Sequence, residues 1–198
     1  MWLNGKLEQA VAVTQEAINE GISPTEIINQ YMVKAMEEIG ARFEAGKAFV
    51  PNLLLAARAM KGFLELLKPL MRDKNTATIG KVVIGTVKGD LHDIGKNLVA
   101  SMFEGCGFEV INLGVDVSST KFIEAAKEHH ASALLTTTMM YMEKVVQAVE
   151  AEGLRDQVKI MVGGAPVNNA FAQKIGADAY TSNANQAVQV AKQLLAAS

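Results

Sequence analysis

The sequence predicts an α/β protein in two parts, a helical N-terminal half over residues 1–75 and an open parallel-sheet domain over residues 76–198. Two observations predict it. Up to about residue 74 the apolar residues recur at three- and four-residue spacing and no convincing strand occurs. From Thr78 onward, short apolar runs alternate with helical stretches, the pattern of a parallel sheet covered on both faces. Length and composition agree: 198 residues, 49% hydrophobic and 20% charged, are enough for one or two packed cores.

Leu7 to Asn19 is amphipathic and stops at Gly21. Ser23-Pro24-Thr25-Glu26 reads as a helix start, with serine as N-cap, proline at the first helical position and glutamate at the third. That helix carries Ile27, Ile28, Tyr31, Met32, Ala35, Met36 and Ile39 towards Gly46. A third helix begins near Pro51, and its apolar set (Leu53, Leu54, Leu55, Ala57, Met60, Phe63, Leu64, Leu67, Leu70, Met71) is wider than one stripe. It is expected to be covered on more than one side, as the middle of a bundle. Asp73-Lys74-Asn75-Thr76 is a polar linker. The expected strands are Lys81–Val87, Phe108–Leu113, Ala131–Thr137, Val158–Val162 and Ala177–Thr181, and Ala184–Ala197 closes the chain as a helix.

Charge and composition exclude several classes. A net charge of −2 without a basic cluster argues against nucleic acid and against an anionic membrane surface. No apolar run is long enough to span a bilayer and no signal-peptide pattern opens the chain, so a cytoplasmic location is expected. Cys106 is the one cysteine, which rules out an internal disulfide, and it reads as a small buried hydrophobe.

Chemistry concentrates in Gly89-Asp90-Leu91-His92-Asp93-Ile94-Gly95, between the first strand and the helix beginning Lys96-Asn97-Leu98. Open α/β sheets bind ligands on such strand-to-helix loops. A lone loop histidine is more often a surface residue, but Asp90 stands two residues away and could orient its imidazole. Zinc wants three or four protein ligands, and the other histidines, His129 and His130, lie far along the chain. One histidine with its own carboxylate suits a metal that brings its equatorial ligands, that is, a macrocycle. A phosphate loop is disfavoured, because the glycine spacing is one residue too long and Asn97 stands where Ser or Thr is needed. Gly85, Gly89 and Gly95 do not fit the dinucleotide fingerprint. Later, Ser132, Leu134, Thr136 and Thr138 alternate along one face of the third strand, an unusual density of hydroxyls for a central strand. The fourth strand ends in Gly163-Gly164-Ala165-Pro166, where missing side chains allow another group to approach the backbone.

Asp90-x-His92-x-x-Gly95, Ser132-x-Leu134 and Gly163-Gly164, in this order within one five-strand unit, resemble the signature of corrinoid-binding proteins. That family includes cobalamin-dependent methionine synthase, the corrinoid proteins of methyltransferase systems and the coenzyme-B12-type mutases. Gly40–Pro51 and Ala56–Lys61 resemble the helical cap of methionine synthase and the corrinoid methyl carriers, which mutases lack. The resemblance covers essentially the whole chain. It implies a helical-bundle cap before a flavodoxin-like (Rossmann-type) five-stranded domain. The family's cap usually has four helices, and here only a stub, Met1–Gly5, precedes the first of three.

The resemblance also implies the site. His92 would replace the benzimidazole of cobalamin, or of a related corrinoid, as the lower axial ligand of cobalt. Asp90 would hold its imidazole, and Thr138, where relatives commonly have serine, would complete that relay. Gly89, Leu91, Asp93, Ile94 and Gly95 form the rest of the loop. Ser132, Leu134 and Thr136 would line the slot for the displaced nucleotide tail, with Gly163, Gly164 and Ala184 along its path, and Phe49 would cover the upper face of the corrin. The implied function is a methyl carrier, loaded on Co(I) by a donor-specific methyltransferase and unloaded from methyl-Co(III) by a tetrahydrofolate- or thiol-type methyltransferase. A reductive activation protein would maintain it, and it would not be an enzyme alone. A cobalamin-binding sensor is the alternative. It would need a DNA-binding helix-turn-helix or a basic face, and neither is present in the sequence. A receiver domain would need an Asp where this chain has Thr136-Thr137-Thr138.

Overall fold

A computed structural model describes residues 7–23, 26–67, 78–91, 93–137, 141–164 and 167–196. His92, Thr138, the expected linker 73–76, Leu70 and Met71, and Ala165-Pro166 lie outside the described residues. The chain divides into two compact units, Met1–Ile79 with Ser101–Phe108, and Gly80–Ala100 with Glu109–Ser198.

The first unit contains α1 (Leu7–Asn19), α2 (Val33–Glu44) and α3 (Val50–Leu67). Ser23 caps as expected, its Oγ accepting from Glu26 N at 3.2 Å. The chain then enters α2 through a π-helical stretch, Ile27–Met32, rather than the regular α-helix that the spacing predicts. In α3, Leu53, Ala56, Ala57, Ala59, Met60, Phe63 and Leu67 are buried, and the helix packs against both α1 and α2, as expected of an apolar set wider than one stripe. Leu54 and Leu55, counted in that set, are exposed.

The second unit is a parallel sheet of five strands in the order β2-β1-β3-β4-β5: β1 (Lys81–Thr86), β2 (Glu109–Asn112), β3 (Ala133–Thr137), β4 (Lys159–Gly163) and β5 (Ala179–Thr181). Its helices are α4 (Ile94–Gly105), which crosses the division between the units, α5 (Ser119–His129), α6 (Met142–Ala151), α7 (Asn169–Lys174) and α8 (Ala184–Ala196). Strands β3 and β5 begin later than the periodicity predicts, because the preceding residues terminate helices. Ala131 N bonds back to Ala126 O and Ala177 N to Ala172 O, satisfying carbonyls that a helix end leaves open.

One face of the sheet, with Val83, Leu134, Ile160 and Val162, packs against Phe122, Val145, Val146 and Val149 of α5 and α6. Gly85 belongs to this face for a steric reason, since a Cβ there would lie 2.7 Å from Phe122 Cζ. The ring occupies the place of a side chain. Asp178 secures the far edge, where its Oδ2 accepts from Ile160 N at 2.7 Å and from Arg155 Nη1 at 2.8 Å.

Candidate functional site

The strand order places a topological switch point between β1 and β3, whose connections leave in opposite directions, and ligands of open α/β sheets bind in that crevice at the carboxyl ends of the strands. Register sets Thr86 of β1 beside Thr137 of β3, so the loop that contains His92 starts next to the point where Thr138 follows β3. The two halves of the predicted relay are thus attached to neighbouring strand ends.

The β1–α4 loop is fixed by its main chain. Lys88 N donates to Val117 O at 2.9 Å, Asp90 N to Val87 O at 3.2 Å, and Asp116 N to Asp90 O at 3.1 Å. Gly89 adopts φ +87°, a conformation that a residue with a Cβ would hold under strain. Asp90 is buried, whereas Leu91 and Ile94 are 75% and 84% exposed, an unusual position for two large apolar side chains flanking a loop. Asp93 and Gly95 are exposed beside them.

Behind the loop lies a polar cluster that no motif announced. Lys96, only 2% exposed, donates from Nζ to Asn97 Oδ1 at 2.5 Å and to Asn112 Oδ1 at 2.9 Å. Asn97 Nδ2 donates to Asp93 Oδ2 at 3.1 Å, and Asn112 Oδ1 also accepts from Gly114 N at 3.0 Å. Burial pushes the Lys96 ammonium below its usual range, and the nearby Asp93 carboxylate partly opposes that shift. The sequence signal was weak: a lysine in the first turn of a helix normally faces solvent.

The remaining predicted residues fall on both faces of the sheet. Leu134 is fully buried on the α5–α6 face, and Thr136 stands beside Gly85 and Val162 in the same register. Ser132 immediately precedes β3 and is half-buried; its N donates to Lys81 O at 2.8 Å. Gly163 stands on the opposite face, in register with Thr86, Thr137 and Thr181, and a Cβ there would lie 3.0 Å from Thr181 O. The nearest group requiring a small residue at 163 is therefore the carbonyl of β5. Gly164 has φ +121°. Ala184 is buried in the first turn of α8, behind an N-cap in which Asn183 Oδ1 accepts from Gln186 N at 2.8 Å. In the first unit, Phe49 precedes α3 with its N bonded to Asn52 Oδ1 at 2.9 Å, and its ring is 70% exposed.

Thr136 provides the test of whether these residues suit a bound group. Its Oγ1 is buried and has no hydrogen-bond partner, the one such side-chain atom among the described residues. Buried hydroxyls are normally paired, so an orphan of this kind is open to a partner from a ligand or a water. A ligand tail with polar atoms, entering from the switch point, would be such a partner. Among the described residues no group of three or more His, Cys, Asp or Glu side chains could hold a bare metal ion, and no helix is long and apolar enough to cross a membrane.

A parallel sheet of this order is shared by several classes of α/β domain that use the switch-point loops, and comparison with known proteins specifies which class this is. The B12 binding domain family matches residues 80–191, and a second B12 binding domain model matches residues 2–68. The chain is 47% identical to the dimethylamine corrinoid protein of Methanosarcina barkeri, over 96% of this chain and 92% of that protein. It is 45% identical to trimethylamine corrinoid protein 1 of Methanosarcina acetivorans, over 95% and 90%. Among solved structures, a cobalamin-binding protein from Desulfitobacterium hafniense DCB-2 superposes with a TM-score of 0.82 at 30% identity, covering 97% of this chain and 94% of that one. The methanol:cobalamin methyltransferase complex MtaBC of Methanosarcina barkeri contains a chain that matches with a TM-score of 0.86 at 27% identity, over 100% of this chain and 77% of that one. The chain belongs to the B12-binding family and is a corrinoid-binding protein of methyltransferase systems.

Proposed function

We propose that this chain carries a methyl group between two methyltransferases, one specific for the donor and one of the tetrahydrofolate or thiol type, and that a reductive activation protein keeps it competent. The observation that carries the proposal is the unpartnered Thr136 hydroxyl below the switch-point crevice, in a chain that aligns with corrinoid proteins over nearly its whole length. The corrinoid, when bound, supplies the methyl-accepting and methyl-donating cobalt centre, and the protein supplies ligation, orientation and exclusion of water.

In this reading His92 is the lower axial ligand, Asp90 fixes the imidazole and Thr138 completes the proton relay. Burial of Asp90 favours such a role, because a carboxylate removed from water gains from a partner that donates to it. Gly89, Leu91, Asp93, Ile94 and Gly95 shape the loop, and the exposed Leu91 and Ile94 offer apolar surface to the macrocycle. Ser132, Leu134 and Thr136 contact the nucleotide tail, with Gly163, Gly164 and Ala184 along its path. Phe49, an exposed ring on a capped helix start, covers the upper face. Residues 1–75 act as the cap and residues 76–198 as the binding domain, in a cytoplasmic protein. The relatives quoted above are named for dimethylamine and for trimethylamine at nearly equal identity, so methylamines are the donor class to test first.

The test is reconstitution of the purified chain with a corrinoid, reduction, and incubation with a methylamine:corrinoid methyltransferase and isotope-labelled methylamines. Label recovered on the protein-bound corrinoid, and then passed to a thiol acceptor by a second enzyme, is the expected result. A stoichiometric complex that never takes up label with any methylamine or with methanol would overturn the carrier reading and favour a sensor.

A further inference from the structure

The loop that contains His92 is clamped from the neighbouring β2–α5 connection by a residue outside every motif. Asp116 has φ +55°, one of two described non-glycine residues with a positive φ; left-handed backbone is disfavoured for most residues with a Cβ, and aspartate is among the few that adopt it when its short side chain finds a local hydrogen bond. Such conformations persist where the surroundings over-determine them, and they concentrate at functional sites. Two bonds hold Asp116 to the ligand loop: Gly89 N donates to its Oδ1 at 2.9 Å, and its own N donates to Asp90 O at 3.1 Å. The contacts on either side extend the seam, with Thr86 N on Gly114 O at 3.0 Å, Val117 N on Thr86 O at 3.0 Å and Lys88 N on Val117 O at 2.9 Å. Both residues immediately before Leu91 and His92 thus take their place from a single carboxylate and a single peptide group across the seam.

We propose that Asp116 is a positioning residue of the corrinoid site: it holds Gly89 and Asp90 in the placement from which the loop presents its axial ligand. The proposal rests on the reading of His92 as that ligand. In this role Asp116 acts on the axial ligand only through the main chain of the loop, at Gly89 and Asp90. Asparagine preserves both features that matter, because it tolerates left-handed backbone and offers an Oδ1 acceptor. Alanine removes the acceptor and keeps the disfavoured φ.

The test compares the wild type with Asp116→Asn and Asp116→Ala by two readouts. In the apo proteins, amide hydrogen exchange at Gly89 should accelerate roughly tenfold in Asp116→Ala, the loss of one charge-assisted bond, and remain near wild type in Asp116→Asn. In the corrinoid-loaded proteins, the fraction of Co(II) with nitrogen coupling from the protein should fall several-fold in Asp116→Ala and be restored in Asp116→Asn. Gly89 exchange unchanged in Asp116→Ala overturns the clamp. Equal nitrogen coupling in wild type and Asp116→Ala overturns the positioning role. Absence of coupling in the wild type, with the Gly89 exchange behaving as expected, instead removes the His92 reading.

Discussion

Replacing Thr136 by valine should move apo stability and corrinoid affinity in opposite directions. In the structure, Thr136 Oγ1 is buried with no partner, on the face of β3 that packs against α5 and α6. Leaving a buried hydroxyl unpaired costs about 1–3 kcal/mol relative to an apolar group of the same shape, and valine matches threonine in shape. The apo variant should therefore gain about 1 kcal/mol or more, and for a chain of this length each kcal/mol raises Tm by about 2–4 °C. If the hydroxyl meets a polar atom of the corrinoid tail, the same substitution removes that bond and strands its partner, a loss of roughly tenfold in affinity. Urea and thermal denaturation of the apo protein measure the first effect, and titration of the apo protein with hydroxocobalamin, followed optically, measures the second. An apo variant less stable than wild type would mean that the hydroxyl has a partner in the protein. Unchanged affinity would remove Thr136 from the site.

Gly85→Ala should destabilise the sheet unit by about 1–3 kcal/mol, since the new Cβ meets a fully buried ring at 2.7 Å, and a second substitution, Phe122→Leu, should recover part of that in denaturant melts. Asp178→Ala should cost about 1–3 kcal/mol by removing the acceptor shared by Ile160 N and Arg155 Nη1, again read by urea denaturation. For Lys96, the folded pKa lies below the unfolded 10.5, so the unfolded state binds more protons between those two values and stability rises with pH across that window. Lys96→Met should abolish that alkaline rise, and an identical pH–stability profile in the variant would show that Lys96 is not the group responsible.

Much of this was legible in the sequence, for physical reasons that can be located. Helix α1 coincides with Leu7–Asn19 because its apolar spacing and the following Gly21 both mark it. The five strands were legible as apolar runs bounded by turns, and the loop after β1 by its glycines. What stayed hidden depends on partners distant in sequence. Asp116 and Lys96 gain their roles only when β1 and β2 lie side by side, and neither carries a local signal. Period-two alternation put Ser132, Leu134 and Thr136 on one side of β3, but the cross-strand register that sets Gly163 on the other face is not written in either strand alone. The exposure of Leu54 and Leu55 was missed because apolar content records what a helix can bury, not what covers it.

The central claim is that a corrinoid binds this chain with a protein histidine below the cobalt. The most direct measurement is electron paramagnetic resonance of the Co(II) form bound to protein uniformly labelled with 15N-histidine. The superhyperfine triplet from a 14N ligand should become a doublet with the labelled protein, and Asp90→Ala should weaken that coupling without displacing the corrinoid. A triplet that persists in the labelled protein would mean that the cofactor's own benzimidazole remains bound, and the assignment of His92 would be wrong.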